Sequence, residues 1–187
     1  MAIEYIVPND DNTDGFWTNS DSNTTDLYSY VDNGISGGTP DDTTYIESSS
    51  ANDTVVLDLQ TIAGTRTADS DIPIRYRSQG FFITHKVSLY EGATKIWESL
   101  DQTSQGSFTE STLTVPGASG NNITDYSNLN IRVENIDGGS PELRVSEIEL
   151  EFDTDGGGGG GGSAVSDFIR FENGCMSDFR GMVDIRS

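Results

Sequence analysis

The chain has 187 residues, a formal net charge of -21, 33% apolar side chains and one cysteine, Cys175. So acidic a surface repels phosphate backbones and anionic lipid, which argues against nucleic-acid and membrane partners. A lone cysteine rules out an intrachain disulfide, and no stretch approaches the roughly 20 apolar residues of a membrane-spanning helix.

Ser, Thr, Asn, Asp and Gly are abundant and no stretch keeps a 3.6-residue apolar period, so short strands joined by turns are expected. Met1 to Val7 lacks the basic start and apolar run of a signal peptide, so a soluble product made in the cytoplasm is expected. Ala2 to Val7 reads as a first strand with Ile3, Tyr5 and Val7 on one face, ended by Pro8. Asn9 to Asn23 reads as a polar loop in which Phe16 and Trp17 plug one end of a core. Leu27, Tyr28, Tyr30 and Val31 form a short apolar cluster before Asp32-Asn33-Gly34. Thr54 to Leu59 alternates cleanly, and Ile72 to Arg77 sets Ile72, Ile74 and Tyr76 against Arg75 and Arg77.

Phe81 to Tyr90 places Phe81, Ile83, Val87 and Leu89 in register, with His85 on the same apolar phase. A lone histidine with no nucleophile or metal set beside it reads as a hydrogen-bonded core residue. Glu91-Gly92-Ala93 turns into a strand marked by Ile96 and Trp97. Ser107 to Val115 and Leu129 to Asn135 are further strands, with a short helical turn expected around Tyr126. In Leu143 to Phe152 the apolar phase slips: Leu143 and Val145 are odd, whereas Ile148, Leu150 and Phe152 are even. One extra residue near Ser146-Glu147, a β-bulge, would restore a common face. Eight to ten short strands without crossover helices predict an all-β, antiparallel, jelly-roll-like β-sandwich over residues 1–155.

The best local metal motif is Asp10-Asp11-Asn12-Thr13-Asp14-Gly15 with Asp21. Oxygen ligands at positions 1, 3, 5 and 12 and glycine at 6 follow calcium-loop spacing, which makes Asp10, Asn12, Asp14 and Asp21 candidate calcium ligands. Against it, the twelfth position is the shorter Asp and no helices flank the loop, so an ordinary Asx-turn loop is the competing reading. Asp41-Asp42 and Asp69-Asp71 read as solvated loop carboxylates. Among the aromatic residues Tyr90, on the outward phase of its strand, and Trp97 are the candidate glycan contacts.

Seven glycines, Gly156 to Gly162, then form a linker (156–162) to a 25-residue tail (163–187). The tail carries Val165, Phe168, Ile169, Phe171, Met176, Phe179, Met182, Val183 and Ile185. So short a segment cannot bury those groups alone, so they are expected to dock on the body, a symmetry mate or another protein, by strand addition. The glycine run is expected to be packed against another chain.

Taken together, Trp17, Leu27-Tyr28, Val31-Asp32 and Thr39-Pro40-Asp41-Asp42-Thr43-Thr44-Tyr45-Ile46 resemble the opening of a β-sandwich domain recurrent in tailed-bacteriophage virion proteins. Arg75-Tyr76-Arg77, Val87 to Thr94, Ile123 to Leu129 and Arg144 to Leu150 continue the resemblance, which covers about residues 15–152. It carries over no catalytic residue. It implies a noncatalytic virion surface protein, a capsid decoration or cement protein held by its tail to the major capsid or other virion proteins. A homo-oligomer, with a trimer as first guess, goes with that role. The alternative it leaves open is a tail- or fibre-associated carbohydrate-binding module for host-surface attachment.

Overall fold

A computed structural model describes residues 2–35, 39–138 and 142–155. The linker, the tail and its nine candidate docking residues, from Val165 to Ile185, lie outside the described residues.

Among the described residues, thirteen strands form two antiparallel sheets. The first sheet contains β1 (Ala2–Ile6), β3 (Thr18–Asn19), β4 (Ile46–Ser48), β6 (Thr65–Arg66), β7 (Ile72–Gln79), β11 (Thr109–Val115) and β13 (Leu143–Asp155). The second contains β2 (Pro8–Thr13), β5 (Asp53–Leu59), β8 (Thr84–Glu91), β9 (Thr94–Glu98), β10 (Gln102–Thr103) and β12 (Leu129–Asn135). Most connections carry the chain from one sheet to the other, so the result is an antiparallel, jelly-roll-like sandwich, as the strand spacing predicts.

The apolar residues of alternating strands supply the core. Leu57, Val87, Leu89 and Ile131 of one sheet face Ile74, Tyr76, Ile148, Leu150 and Phe152 of the other, all of them buried. Trp17 closes one end, fully buried, but its neighbour Phe16 points into solvent. Burial of each large side chain is worth about 1.5–3 kcal/mol, which makes this interior the main source of stability.

β13 is the spine of the first sheet. It pairs with β7 along one flank and with β4 and β1 in succession along the other. Its register against β7 runs Val145 to Ser78 and then Glu147 to Arg77, so Ser146 is the extra residue of a bulge. That bulge returns Ile148, Leu150 and Phe152 to the face already held by Leu143 and Val145.

Two expectations change. In β1 it is Ile6 that is buried, while Ile3 and Tyr5 lie on the exposed face. Glu4 shares the inward phase and its carboxylate accepts the backbone N–H groups of Ala63 and Gly64, at 2.6 and 2.8 Å. The expected loop after Pro8 begins instead as β2, an edge strand on β5. Proline is tolerated as the first residue of an edge strand because it owes no ladder hydrogen bond there.

Candidate functional site

The connection from β7 to β8 is Gly80-Phe81-Phe82-Ile83. Its base is stapled to the segment after β10: Gly80 N–H donates to the Gln105 carbonyl at 2.8 Å, and the Ser104 hydroxyl donates toward the Gly80 and Ile83 carbonyls at 3.0 and 3.2 Å. A side chain at Gly80 would run into Ser104 Oγ, 2.6 Å from the Cβ position, so the approach requires glycine. Ile83 turns inward and is buried, whereas Phe81 and Phe82 are 63% and 64% exposed.

The two rings pack edge to face, centroids 4.7 Å apart. Phe82 achieves this at φ 60°, a left-handed conformation that costs a bulky L-residue about 1–2 kcal/mol. The chain therefore accepts backbone strain and forgoes burial of two aromatic rings at one loop tip. Strain of this kind is characteristic of ligand-contacting segments.

Below the rings opens a cleft of about 300 Å³ lined by Gln79, Gly80, Phe81, Gly106, Glu142 and Arg144. Gly106 leaves its floor bare; a Cβ there would sit 3.6 Å from the Phe81 ring. Gln79, Arg144 and Glu47 are direct partners across β7, β13 and β4, so all three project from the outer face of the first sheet in one row. Gln79 Nε2 donates to the Gly106 carbonyl at 3.1 Å, and Arg144 Nε donates to Glu47 Oε2 at 2.8 Å. The Arg144 guanidinium lies 4.6 Å from the Tyr45 ring centroid, and Tyr45 in turn tilts against Phe108 at 5.9 Å. Aromatic faces beside a fixed row of hydrogen-bonding groups are suited to a polyhydroxylated ligand, whose C–H faces stack while its hydroxyls are read individually.

The loop that carries Tyr45 is itself clamped to the bulge of β13. Arg77 binds Asp42 with two hydrogen bonds, 2.9 and 2.7 Å, and the Ser146 hydroxyl donates to Asp42 at 2.9 Å. Hydrogen bonding from Arg77 holds the Asp42 carboxyl below the usual carboxylate range. Asp42 is thus not a merely solvated loop residue. Beside it Glu147 is fully buried; Oε1 accepts the Asp41 N–H at 2.9 Å while Oε2 has no protein partner. Desolvation pushes its carboxyl up.

The structure does not bring the candidate calcium ligands together. Asp10 and Asn12 are spread along the extended strand β2, and Asn12 donates to Asp58 at 3.0 Å. Asp14 is partly buried, with its carboxyl raised by desolvation, and Asp21 accepts the Tyr30 hydroxyl at 2.6 Å. The glycine of the motif has another cause: at Gly15, φ 61°, any Cβ would collide with Asp53, which also receives the Phe16 N–H at 2.9 Å. Among the described residues no group of three or more His, Cys, Asp or Glu side chains is placed to hold a metal ion.

Tyr90 and Trp97 are not on one platform. Trp97 is the direct partner of inward-facing Leu89 and packs on the core, whereas Tyr90 projects from the opposite face. The Tyr90 ring is already covered by the Arg132 guanidinium, 3.5 Å from its centroid. Sequence reasoning missed Phe81 and Phe82 by placing Phe81 in the strand. The available signal was the doublet itself, since adjacent strand residues face opposite sides and both rings cannot be core.

No protein-family model matches the chain, and no curated protein matches it. Solved structures do show similarity. The second family 6 carbohydrate-binding module of Cellvibrio mixtus lichenase 5A, solved with cellotriose, is 13% identical over 82% of this chain and 99% of that one, at a TM-score of 0.43. The C-terminal family 6 module of LamC, a marine laminarinase of Zobellia galactanivorans, is 12% identical over 81% of this chain and 100% of that one, at 0.40. The enzymatically active domain of tailspike protein 4 of bacteriophage CBA120 is 8% identical over 81% of this chain and 19% of that one, at 0.41.

Proposed function

We propose that the chain is a noncatalytic carbohydrate-binding module whose ligand seats in the cleft beside Phe81. The observation that carries this reading is the pair of phenylalanines held in solvent by a left-handed residue, with Phe81 lining the same cleft as Gln79 and Arg144. The site offers one apolar stacking face and several fixed donors and acceptors, which is the chemistry of sugar recognition. Host-surface attachment from a phage tail or fibre is the setting that joins this site to the sequence resemblance. Capsid decoration, the role the resemblance implies first, depends on residues 163–187, and the cleft lends it no support. Virion attachment and a homo-oligomer, trimeric or otherwise, belong to the same proposal and are checked by the mass of the full chain in solution with and without 163–187.

The test is a glycan array followed by titration of each hit with the wild type and the Phe81→Ala variant. Saturable binding that drops at least tenfold in the variant is the expected result, since a central aromatic contact typically contributes about 2 kcal/mol. Binding insensitive to Phe81 would place the site elsewhere.

A further inference from the structure

Arg144 is the sole cation lining the cleft among the described residues, and it is already engaged. Glu47 accepts its Nε at 2.8 Å, Glu142 Oε2 lies 3.9 Å from Nη2, and Tyr45 covers its guanidinium face. The next guanidinium along β7, Arg77, is bound bidentately by Asp42. A guanidinium free to present its fork would clasp a sugar carboxylate or sulfate; one held on its Nε edge and its face has lost that geometry. Two carboxylates against one guanidinium leave this corner with an excess negative charge, within a chain of net charge -21. An anionic sugar would have to displace Glu47 from Arg144 and sit beside Glu142. Neutral hydroxyls face no such penalty: they donate to Glu142 and accept from the remaining Arg144 N–H groups.

We propose that the cleft selects uncharged glycans and rejects uronic-acid, sialylated and sulfated ones, with Glu47 and Glu142 as the residues that set this selectivity. The inference rests on the glycan-binding reading above. A unit charge placed about 6 Å from an unbalanced carboxylate near a protein surface meets a repulsion that weakens binding about tenfold, more at low salt.

The test titrates the full chain with neutral hexose oligosaccharides and with uronic-acid oligosaccharides of equal length, at low and high salt. Neutral ligands are expected to bind at least about tenfold tighter at low salt, with a smaller ratio at high salt. Glu142→Gln and Glu47→Gln are each expected to narrow that ratio by improving the acidic ligand. Equal or tighter binding of the uronic-acid series by the wild type overturns the selectivity and leaves the glycan reading intact. A ratio unmoved by either substitution overturns the assignment to Glu47 and Glu142. Failure of every sugar to bind overturns the glycan reading, and this inference with it.

Discussion

The Tyr76 hydroxyl of one sheet meets His85 Nε2 of the other at 3.0 Å, with the rings edge to face and centroids 5.7 Å apart. Both side chains are almost wholly buried, and the bond is a polar contact spanning the sandwich core. The Ile83 carbonyl, 3.4 Å from Nδ1, can only accept, so Nδ1 carries the proton and Nε2 takes the tyrosine hydrogen. Desolvation lowers the His85 pKa, and the same burial pushes the Tyr76 hydroxyl up to about 12.

This pair sets an acid limit on stability. The unfolded chain takes up the imidazole proton near pH 6.5, whereas the folded chain resists it, so unfolding binds a proton. Stability from the neutral histidine is complete above that pH and declines as the pH falls through it toward the lower folded value. The midpoint of thermal unfolding should therefore fall between pH 7 and pH 5.5 in the wild type. In His85→Gln, which retains a polar partner for Tyr76 but does not titrate, that slope should be shallower. Equal slopes in both proteins would show that His85 does not carry the effect.

The loop tip should separate binding from stability. Phe81 is exposed, so Phe81→Ala should change unfolding free energy by less than about 0.5 kcal/mol while reducing affinity. Phe82→Gly removes a strained left-handed residue at the cost of added chain entropy, terms of about 1 kcal/mol each that nearly cancel. Affinity should nonetheless fall, because Phe81 loses the ring that props it. Denaturant unfolding alongside sugar titration checks both halves; a variant that loses stability and affinity together would contradict the separation.

Some of this was legible in residue order, and the reasons are local. The phase slip between Val145 and Ile148 revealed the bulge because every other residue of β13 obeys a strict alternation. β2 was invisible because Pro8-Asn9-Asp10-Asp11-Asn12-Thr13 offers almost no apolar residue to alternate; it is held by pairing with β5 at the sheet edge. Ile3 and Tyr5 misled because the inward phase of β1 is shared by a carboxylate, Glu4, that serves loop backbone. Trp97 could not be placed because its phase depends on a register shift between Leu89 and Tyr90, which alternation along one strand does not reveal. The cleft is assembled from residues 79 to 144, a separation that only the sheet pairing closes.

Glu147 makes an opposite pH prediction. Its folded pKa is raised above the ordinary glutamate value of 4.5 by desolvation, against the opposing hydrogen bond from the Asp41 N–H and the Arg77 charge, with the Asp42 and Asp41 charges adding smaller increments to the rise. A raised carboxyl contributes stability at low pH and loses it as the pH climbs from that value through the folded one. Glu147→Gln keeps the acceptor for the Asp41 N–H without the buried charge. It should melt higher than the wild type at pH 7, and the gap should close toward pH 4. A gap independent of pH would mean that packing, and not ionisation, separates the two proteins.

Deletion of Ser146 tests the bulge directly. Ser146 is fully buried, and its hydroxyl ties the bulge to Asp42. Removing it leaves Val145 opposite Ser78 and brings Glu147 opposite Arg77 as the next residue, so β13 alternates without a break. Ile148, Leu150 and Phe152 keep the face held by Leu143 and Val145, and the core is preserved. What is lost is local: the bend that the extra residue puts in the strand, and the hydroxyl bond to Asp42. The deletion should therefore keep a cooperative unfolding transition at a cost of about 1–3 kcal/mol, and Ser146→Ala, which loses one hydrogen bond, should cost about 1 kcal/mol. Deletion of Glu149 is the contrast: no bulge lies there to absorb it, so Leu150 and Phe152 turn outward and the cooperative transition should be abolished. Equal effects of the two deletions would show that Ser146 is not the residue that sets the register.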